Sequence, residues 1–201
     1  MFRFVRLTLL ATCLLFAGFS SSDAASPRDH IETLNATLLE IMQNADSLGY
    51  AGRYEKLQPV MTQLYDFALM SRIAAGAYWK KLDDGKKAQL TDAFSRMSIA
   101  TYAARFDGYS GEKFEIVSAK KSVRDTMLVK TRLIKSDGTP IALNYLTRPR
   151  DGEWRIIDVF LDARFSELAR LRADYTAVIK RQGFDKLIST IEAKIAGMQQ
   201  Q

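Results

Sequence analysis

Residues 112–165 read EKFEIVSAKKSVRDTMLVKTRLIKSDGTPIALNYLTRPRDGEWRIIDVFLDARF, and this stretch decides the fold. It divides into four extended runs at turn-forming residues. Lys113–Lys121 ends at the polar segment from Ser122 to Asp125. Thr126–Ile134 alternates, with Met127, Val129, Thr131 and Leu133 on one side and Leu128, Lys130, Arg132 and Ile134 on the other. Asp137-Gly138 then leads into Pro140–Arg148, and Asp151-Gly152 leads into Trp154–Asp162. Asp-Gly pairs between β-rich runs are hairpin signals, because tight turns need positive φ and Gly adopts it freely. The stretch therefore predicts a four-stranded antiparallel meander. In its last run, apolar residues fall on both parities: Trp154, Ile156 and Phe160 against Ile157, Val159 and Leu161. A small sheet with two apolar faces must be covered on both, or curl around something.

The flanks read as helix. Ser26 and Pro27 open a helix to Leu48, with Ile31, Leu34, Leu38, Ile41, Ala45 and Leu48 as one apolar stripe. Gly49 and Gly52 break it, and Tyr54–Thr62 reads as a short helix or irregular piece weakened by Pro59. Asp66 caps a helical run within Tyr65–Lys81, and Asp83-Asp84-Gly85 starts a helix to about Asp107. That helix carries two apolar rows, one through Leu90, Phe94, Met97 and Thr101 and one through Ile99, Tyr102, Phe106 and Tyr109. Either it is the core helix, or part of its surface lines a cavity. After the sheet, Phe165–Gln182 stops at Gly183, a natural C′ position, and Asp185 is placed to cap the last helix. The expected fold is α+β: a four-stranded antiparallel curled sheet packed with helices from both halves of the chain, enclosing an apolar pocket.

At 201 residues, 47% hydrophobic and 26% charged, the composition is that of one globular domain. Arg3 and Arg6 precede the apolar run Leu7–Phe19, and Ser22-Asp23-Ala24 has the small residues of a cleavage site. Residues 1–24 thus read as a secretory signal and 25–201 as a single exported domain. Cys13, the lone cysteine, falls within the signal. The domain that remains has no thiol for a disulfide, a nucleophile or a metal site. The net charge of +6 comes from scattered pairs such as Lys86-Lys87 and Lys120-Lys121. A solvated surface, or an anionic partner or membrane surface, accounts for them better than nucleic acid, for which no motif is present.

The residues of catalysis are mostly missing. His30 is the only histidine, sits near the start of the domain and reads as a surface residue. Ser-His and Cys-His arrangements and transition-metal sites therefore lack parts, and there is no GxGxxG, P-loop or HExxH signature. No cofactor is expected. Among acidic pairs, Asp83/Asp84 is turn chemistry, while Asp158, near Asp162, interrupts an apolar strand. It reads as a structural carboxylate bonded to a partner such as Arg105 or Arg155, or else as the acid or base of a small cone-shaped enzyme acting on an apolar substrate.

Three passages carry a resemblance to a known family. They are Tyr65-Asp66-Phe67 with Gly76-Ala77-Tyr78-Trp79-Lys80-Lys81-Leu82; Gln89 through Thr101-Tyr102-Ala103-Ala104-Arg105-Phe106-Asp107-Gly108-Tyr109-Ser110-Gly111-Glu112; and Trp154–Val159 with Arg172–Tyr175 and Gly183–Ile188. In order and spacing they resemble the MlaC-like periplasmic phospholipid carriers, also described as toluene-tolerance auxiliary proteins of an ABC transporter. Thr101–Glu112 and Val159–Asp162 look closer to the branch associated with hopanoid biosynthesis. Ala163-Arg164-Phe165-Ser166 departs from the Gly-Val/Ile-Ser segment often found in the family. The resemblance implies a binding protein and not an enzyme. It would shuttle phospholipid or a hopanoid-type lipid through the periplasm, between an inner-membrane ABC transporter complex and an outer-membrane lipoprotein complex. Its expected pocket wall draws on Phe67, Met70, Ile73, Tyr78, Phe94, Met97, Tyr102, Phe106, Leu143, Tyr145, Trp154 and Ile156, with Arg105 and Arg148 at the rim for an anionic head group. Each buried methylene contributes about 0.8 kcal/mol, so a two-tailed lipid needs such a wall to cross water.

Overall fold

Ser26 and Asp29 cap each other's backbone at the start of α1 (Pro27–Gln43), each side chain accepting the other's N–H, with Pro27 at the first position. The computed structural model describes residues 25–200, and the expected signal, with Cys13, lies outside them. The first helix ends at Gln43, five residues before the expected Leu48. α2 (Ala45–Leu64) follows and bends at Gly49, where φ is 57°. It runs on through Pro59, which is exposed, so the carbonyl it leaves unpaired faces water. Leu57, Met61 and Leu64 hold this part of the helix down from the other side.

Arg53 explains how that bend is tolerated. It is buried, makes no ion pair among the described residues, and donates to two carbonyls, Ala45 at 3.1 Å and Ala103 at 2.9 Å. The Ala45 carbonyl lies in the single helical turn that precedes the Gly49 bend. The Ala103 carbonyl is one of the orphans of the last turn of α4 (Asp84–Arg105). One guanidinium thus ties the bend in α2 to the end of α4.

Asp66 caps α3 (Phe67–Ala75) as expected, accepting from Leu69 N–H, and also pairs with Arg150. A 3₁₀ segment, Gly76–Lys81, connects to α4, whose cap is Asp83. β1 (Lys113–Lys121), β2 (Met127–Ile134), β3 (Pro140–Arg150) and β4 (Glu153–Leu161) follow as an antiparallel meander. Asp151 and Gly152 both have positive φ, 52° and 82°, which is the primed turn their sequence predicts. The sheet has a fifth strand beyond the four expected: β5 (Phe165–Ser166) pairs with Phe160 and Leu161. Two residues carry no periodicity, and the sequence assigns Phe165 to the helix instead. Ser166 then caps α5 (Glu167–Gln182). Gly183, at φ 87°, ends α5 and is itself the N-cap of α6 (Phe184–Met198), so Asp185 lies in the first turn and is not the cap.

The register breaks between Ile116 and Ser118 and again in β4 opposite Leu146 and Thr147, where Ile157 is the extra residue. Each bulge bends its strand and increases the local twist. With both edges unpaired with one another, the sheet curls without closing. Its inner face carries Val129, Leu133, Leu143, Tyr145, Ile156 and Val159, all buried. The Ile157 bulge resolves the two-sided apolar pattern of β4. It swaps parity, so Ile156, Val159 and Leu161 share the inner face opposite Thr147, Tyr145 and Leu143. α1 lies on β1, β2 and β4, and α2, α3 and α5 lie on β4. α4 packs instead against α2, α3 and α6, and Arg96 on α4 holds Glu192 on α6 with two guanidinium nitrogens.

Replacing Arg53 with Met removes the side-chain donor shared by the Ala45 and Ala103 carbonyls while keeping most of the volume. A loss of about 3 kcal/mol is expected, read from urea unfolding midpoints. A midpoint close to wild type would show that these carbonyls find other partners.

Candidate functional site

The space between α4 and the inner face of the sheet is a cavity of about 860 Å³. It is near the upper end of the roughly 300–1,000 Å³ typical of ligand sites. The wall on α4 is one helical stripe: Phe94, Met97, Ser98, Thr101 and Arg105. Ser98 donates to the Phe94 carbonyl at 2.8 Å and Thr101 to the Met97 carbonyl at 2.7 Å. These hydroxyls are therefore spent on their own helix, and the stripe is apolar in effect. Opposite stand Leu133, Ile141, Leu143, Val159 and Leu161 of the sheet, and the third side is Leu168, Leu171 and Tyr175 of α5.

A belt of aromatic rings frames this space. Phe114 meets Phe106, which stacks on Tyr102 at 5.6 Å; Tyr102 meets Tyr65 edge-on, and Tyr65 stacks on Phe67 at 5.2 Å. Phe67 meets Phe94, and Phe94 meets Tyr175. Seven rings from β1, the α2–α3 junction, α3, α4 and α5 thus touch in series, and offset or edge contacts of this kind add to simple burial.

Charge gathers where α4, α5, α6 and the turn after β4 meet: Arg105, Arg170, Lys194, Asp162 and Glu167. Arg170 is held by Glu167 and Asp174. Arg105 and Lys194 make no ion pair among the described residues, so they are the cations available to an anionic group there.

Of the residues expected from sequence, Met70, Phe94, Met97, Tyr102, Phe106, Leu143 and Arg105 line this cavity. Phe67, Tyr145 and Ile156 are buried behind the wall. Ile73 packs on the core from α3, and Tyr78 sits on the 3₁₀ segment under Lys81. Trp154 pairs with Pro149 at the far end of β4. Arg148 pairs with Arg155 on the outer face, on the opposite parity to inward-facing Thr147, which keeps it from the rim. The contributions of α5 and the Val159–Leu161 pair were missed. A single apolar stripe on α5 reads as ordinary core packing, and the bulge hides the parity of β4.

Asp158 is not part of the wall. It is 8% exposed, and its carboxylate accepts from Val159 N–H at 2.8 Å, Leu168 N–H at 3.0 Å and Ser166 Oγ at 2.6 Å. These partners replace the expected Arg105 or Arg155, and they fix the start of α5. Burial pushes its pKa up, against the downward pull of those three hydrogen bonds. Among the described residues, no group of three or more His, Cys, Asp or Glu side chains is placed to hold a metal ion. No helix among them is long and apolar enough to cross a membrane.

A curled sheet, roofed by helices around an apolar cavity with charge at one end, defines a small domain of the α+β class built around that cavity. The sequence model of the MlaC protein family matches residues 32–193, and the chain belongs to that family. Among solved structures it is similar to a phospholipid-binding protein from Ralstonia solanacearum, determined in complex with a phospholipid. The two share 19% identity over 87% of this chain and 99% of that one, with a TM-score of 0.72. No curated protein matches the sequence.

The raised Asp158 carboxyl holds its proton more tightly in the folded state. Its contribution therefore favours the native state at acid pH and is lost as pH rises through the raised value. Asp158→Asn keeps one acceptor oxygen for both N–H groups and offers a donor to Ser166. It should remove that part of the pH-dependence and cost less than about 1 kcal/mol near neutrality, whereas Asp158→Ala should cost about 2–3 kcal/mol. Urea unfolding across mildly acidic to neutral pH separates these, and an Asn variant as unstable as the Ala variant would contradict the capping role.

Proposed function

We propose that this protein is a lipid carrier that shields the acyl chains of a phospholipid, or of a related hopanoid-type lipid, inside the cavity under the sheet. The observation that carries this reading is the cavity itself: its three sides are aliphatic and aromatic, and the Ser98 and Thr101 hydroxyls on α4 are bonded to their own helix. Membership of the MlaC family and a phospholipid in a protein of similar fold support it.

The division of labour follows from the geometry. Met97, Leu143, Leu161 and Leu171 take the chains out of water, at about 0.8 kcal/mol per methylene. Apolar contacts discriminate only weakly between chains, by about 1–3 kcal/mol for a methylene, so chain preference is loose. Arg105 and Lys194 meet the phosphate at the charged end, where neither has an ion-pair partner among the described residues. Nothing in this scheme forms or breaks a covalent bond, and the protein acts as a binder and not as an enzyme. With the amino-terminal signal read from the sequence, its place is the periplasm. There it would exchange cargo between an inner-membrane ABC transporter complex and an outer-membrane lipoprotein complex, each offering the lipid a competing apolar site.

Purified from the exported fraction and extracted with organic solvent, the protein should yield close to one lipid per chain by mass spectrometry, which also identifies the cargo. Met97→Asp puts a carboxylate on the apolar stripe of α4 and should reduce that yield at least tenfold while the fold, read by circular dichroism, persists. A folded Met97→Asp protein with full lipid content would move the binding site elsewhere.

A further inference from the structure

Three tyrosines from three separate elements meet here, two at the cavity wall and one directly behind it: Tyr65 before α3, Tyr102 on α4 and Tyr145 on β3. Tyr65 and Tyr102 line the cavity, and Tyr145, fully buried, pairs in the sheet with the lining residue Val159. Tyr65 donates to the Tyr102 oxygen at 2.9 Å. The Tyr145 hydroxyl lies beside that of Tyr102 without closing a well-formed hydrogen bond to it, and no other group among the described residues pairs with it. Among the described residues, no oxygen accepts the Tyr102 proton. Burial pushes all three phenols up, so they stay protonated and remain donors.

Three hydroxyls sharing one hydrogen bond make a poor structural device. A buried hydroxyl without a partner is destabilising, and phenylalanine would fill the same space without that penalty. Phe67, stacked on Tyr65, and Phe106, stacked on Tyr102, do so. The other hydroxyls on the α4 stripe are satisfied by their own helix, which leaves the phenols as a polar spot in an apolar wall. Such a spot favours a ligand that brings an acceptor and penalises one that brings only methylenes.

We infer that Tyr65, Tyr102 and Tyr145 form a hydrogen-bonding subsite that receives an acceptor oxygen on the buried part of the bound lipid and sets the depth at which it sits. This inference rests on the carrier reading. The oxygen has two possible sources, an ester carbonyl of the lipid backbone or a hydroxyl carried on a chain.

The delipidated protein is loaded with a phospholipid bearing a fluorescent chain. Displacement is then measured with three phosphatidylglycerols of equal chain length: a diester, the matching diether and a diester with a mid-chain hydroxyl. Wild type should discriminate about five- to tenfold, the size of one neutral hydrogen bond. Weaker displacement by the diether identifies the ester carbonyl, and stronger displacement by the hydroxylated lipid identifies the chain oxygen. Tyr102→Phe should bring the ratio near one, and Tyr145→Phe should reduce it without lowering thermal stability. Tyr50→Phe, whose unpartnered buried hydroxyl lies away from the cavity, should leave it unchanged. Equal displacement by all three lipids in wild type overturns the inference while leaving the carrier reading intact. So does a ratio that survives both Tyr102→Phe and Tyr145→Phe. Failure of every lipid, the labelled one included, to bind wild type overturns both.

Discussion

The Asp158 carboxylate is the joint on which the cavity depends. The bulge at Ile157 offsets the strand just before it, and the carboxylate then gathers the N–H of Val159, the hydroxyl of Ser166 and the N–H of Leu168. Those bonds join β4, β5 and the first turn of α5. Because α5 starts there, its apolar residues Leu168, Leu171 and Tyr175 close the third side of the cavity. A negative group at a helix N-terminus is electrostatically well placed, and so a carboxylate buried in an apolar strand is tolerated despite the desolvation that raises its pKa.

The cavity exists because α4 is held by other helices. Arg53 pins its last turn to α2, and Arg96 with Glu192 pins its middle to α6. Held in this way, α4 faces the concave side of the sheet across a gap that side chains line without filling. The aromatic belt supports the same gap, since rigid rings in mutual contact resist the collapse that flexible aliphatic chains would permit. Burial of the inner sheet face and retention of an apolar cavity are competing demands. The arrangement meets both by letting α1 cover one part of the sheet while α4 stands off another.

Much of the site was legible in α4. Two apolar rows on one helix demand two coverings, and one of them turned out to be the cavity wall through Phe94, Met97 and Thr101. The rim was half legible: Arg105 lies at the charged end, but Arg148 faces away because its strand position has the opposite parity to Thr147. Trp154 and Tyr78 show the limit of reasoning from residue type. Both are large and aromatic, yet one ends a strand far from the cavity and the other sits on a surface 3₁₀ segment. Size and hydrophobicity mark a residue as needing cover without saying what provides it. The tyrosine cluster was illegible as a cluster, because its members are separated by 37 and 43 positions and only packing brings their hydroxyls together.

By itself the sequence determined the elements: the antiparallel meander with its Asp-Gly turns, the caps at Ser26, Asp66 and Asp83, and the stop at Gly183. These depend on local backbone conformation and side-chain-to-backbone bonds within a few residues, which a linear reading can follow. Only the tertiary structure decided the curl of the sheet, the fifth strand and the side of β4 that faces inward. A bulge is defined by its partner strand, a two-residue strand by its neighbour, and a cavity by helices that are anchored somewhere else.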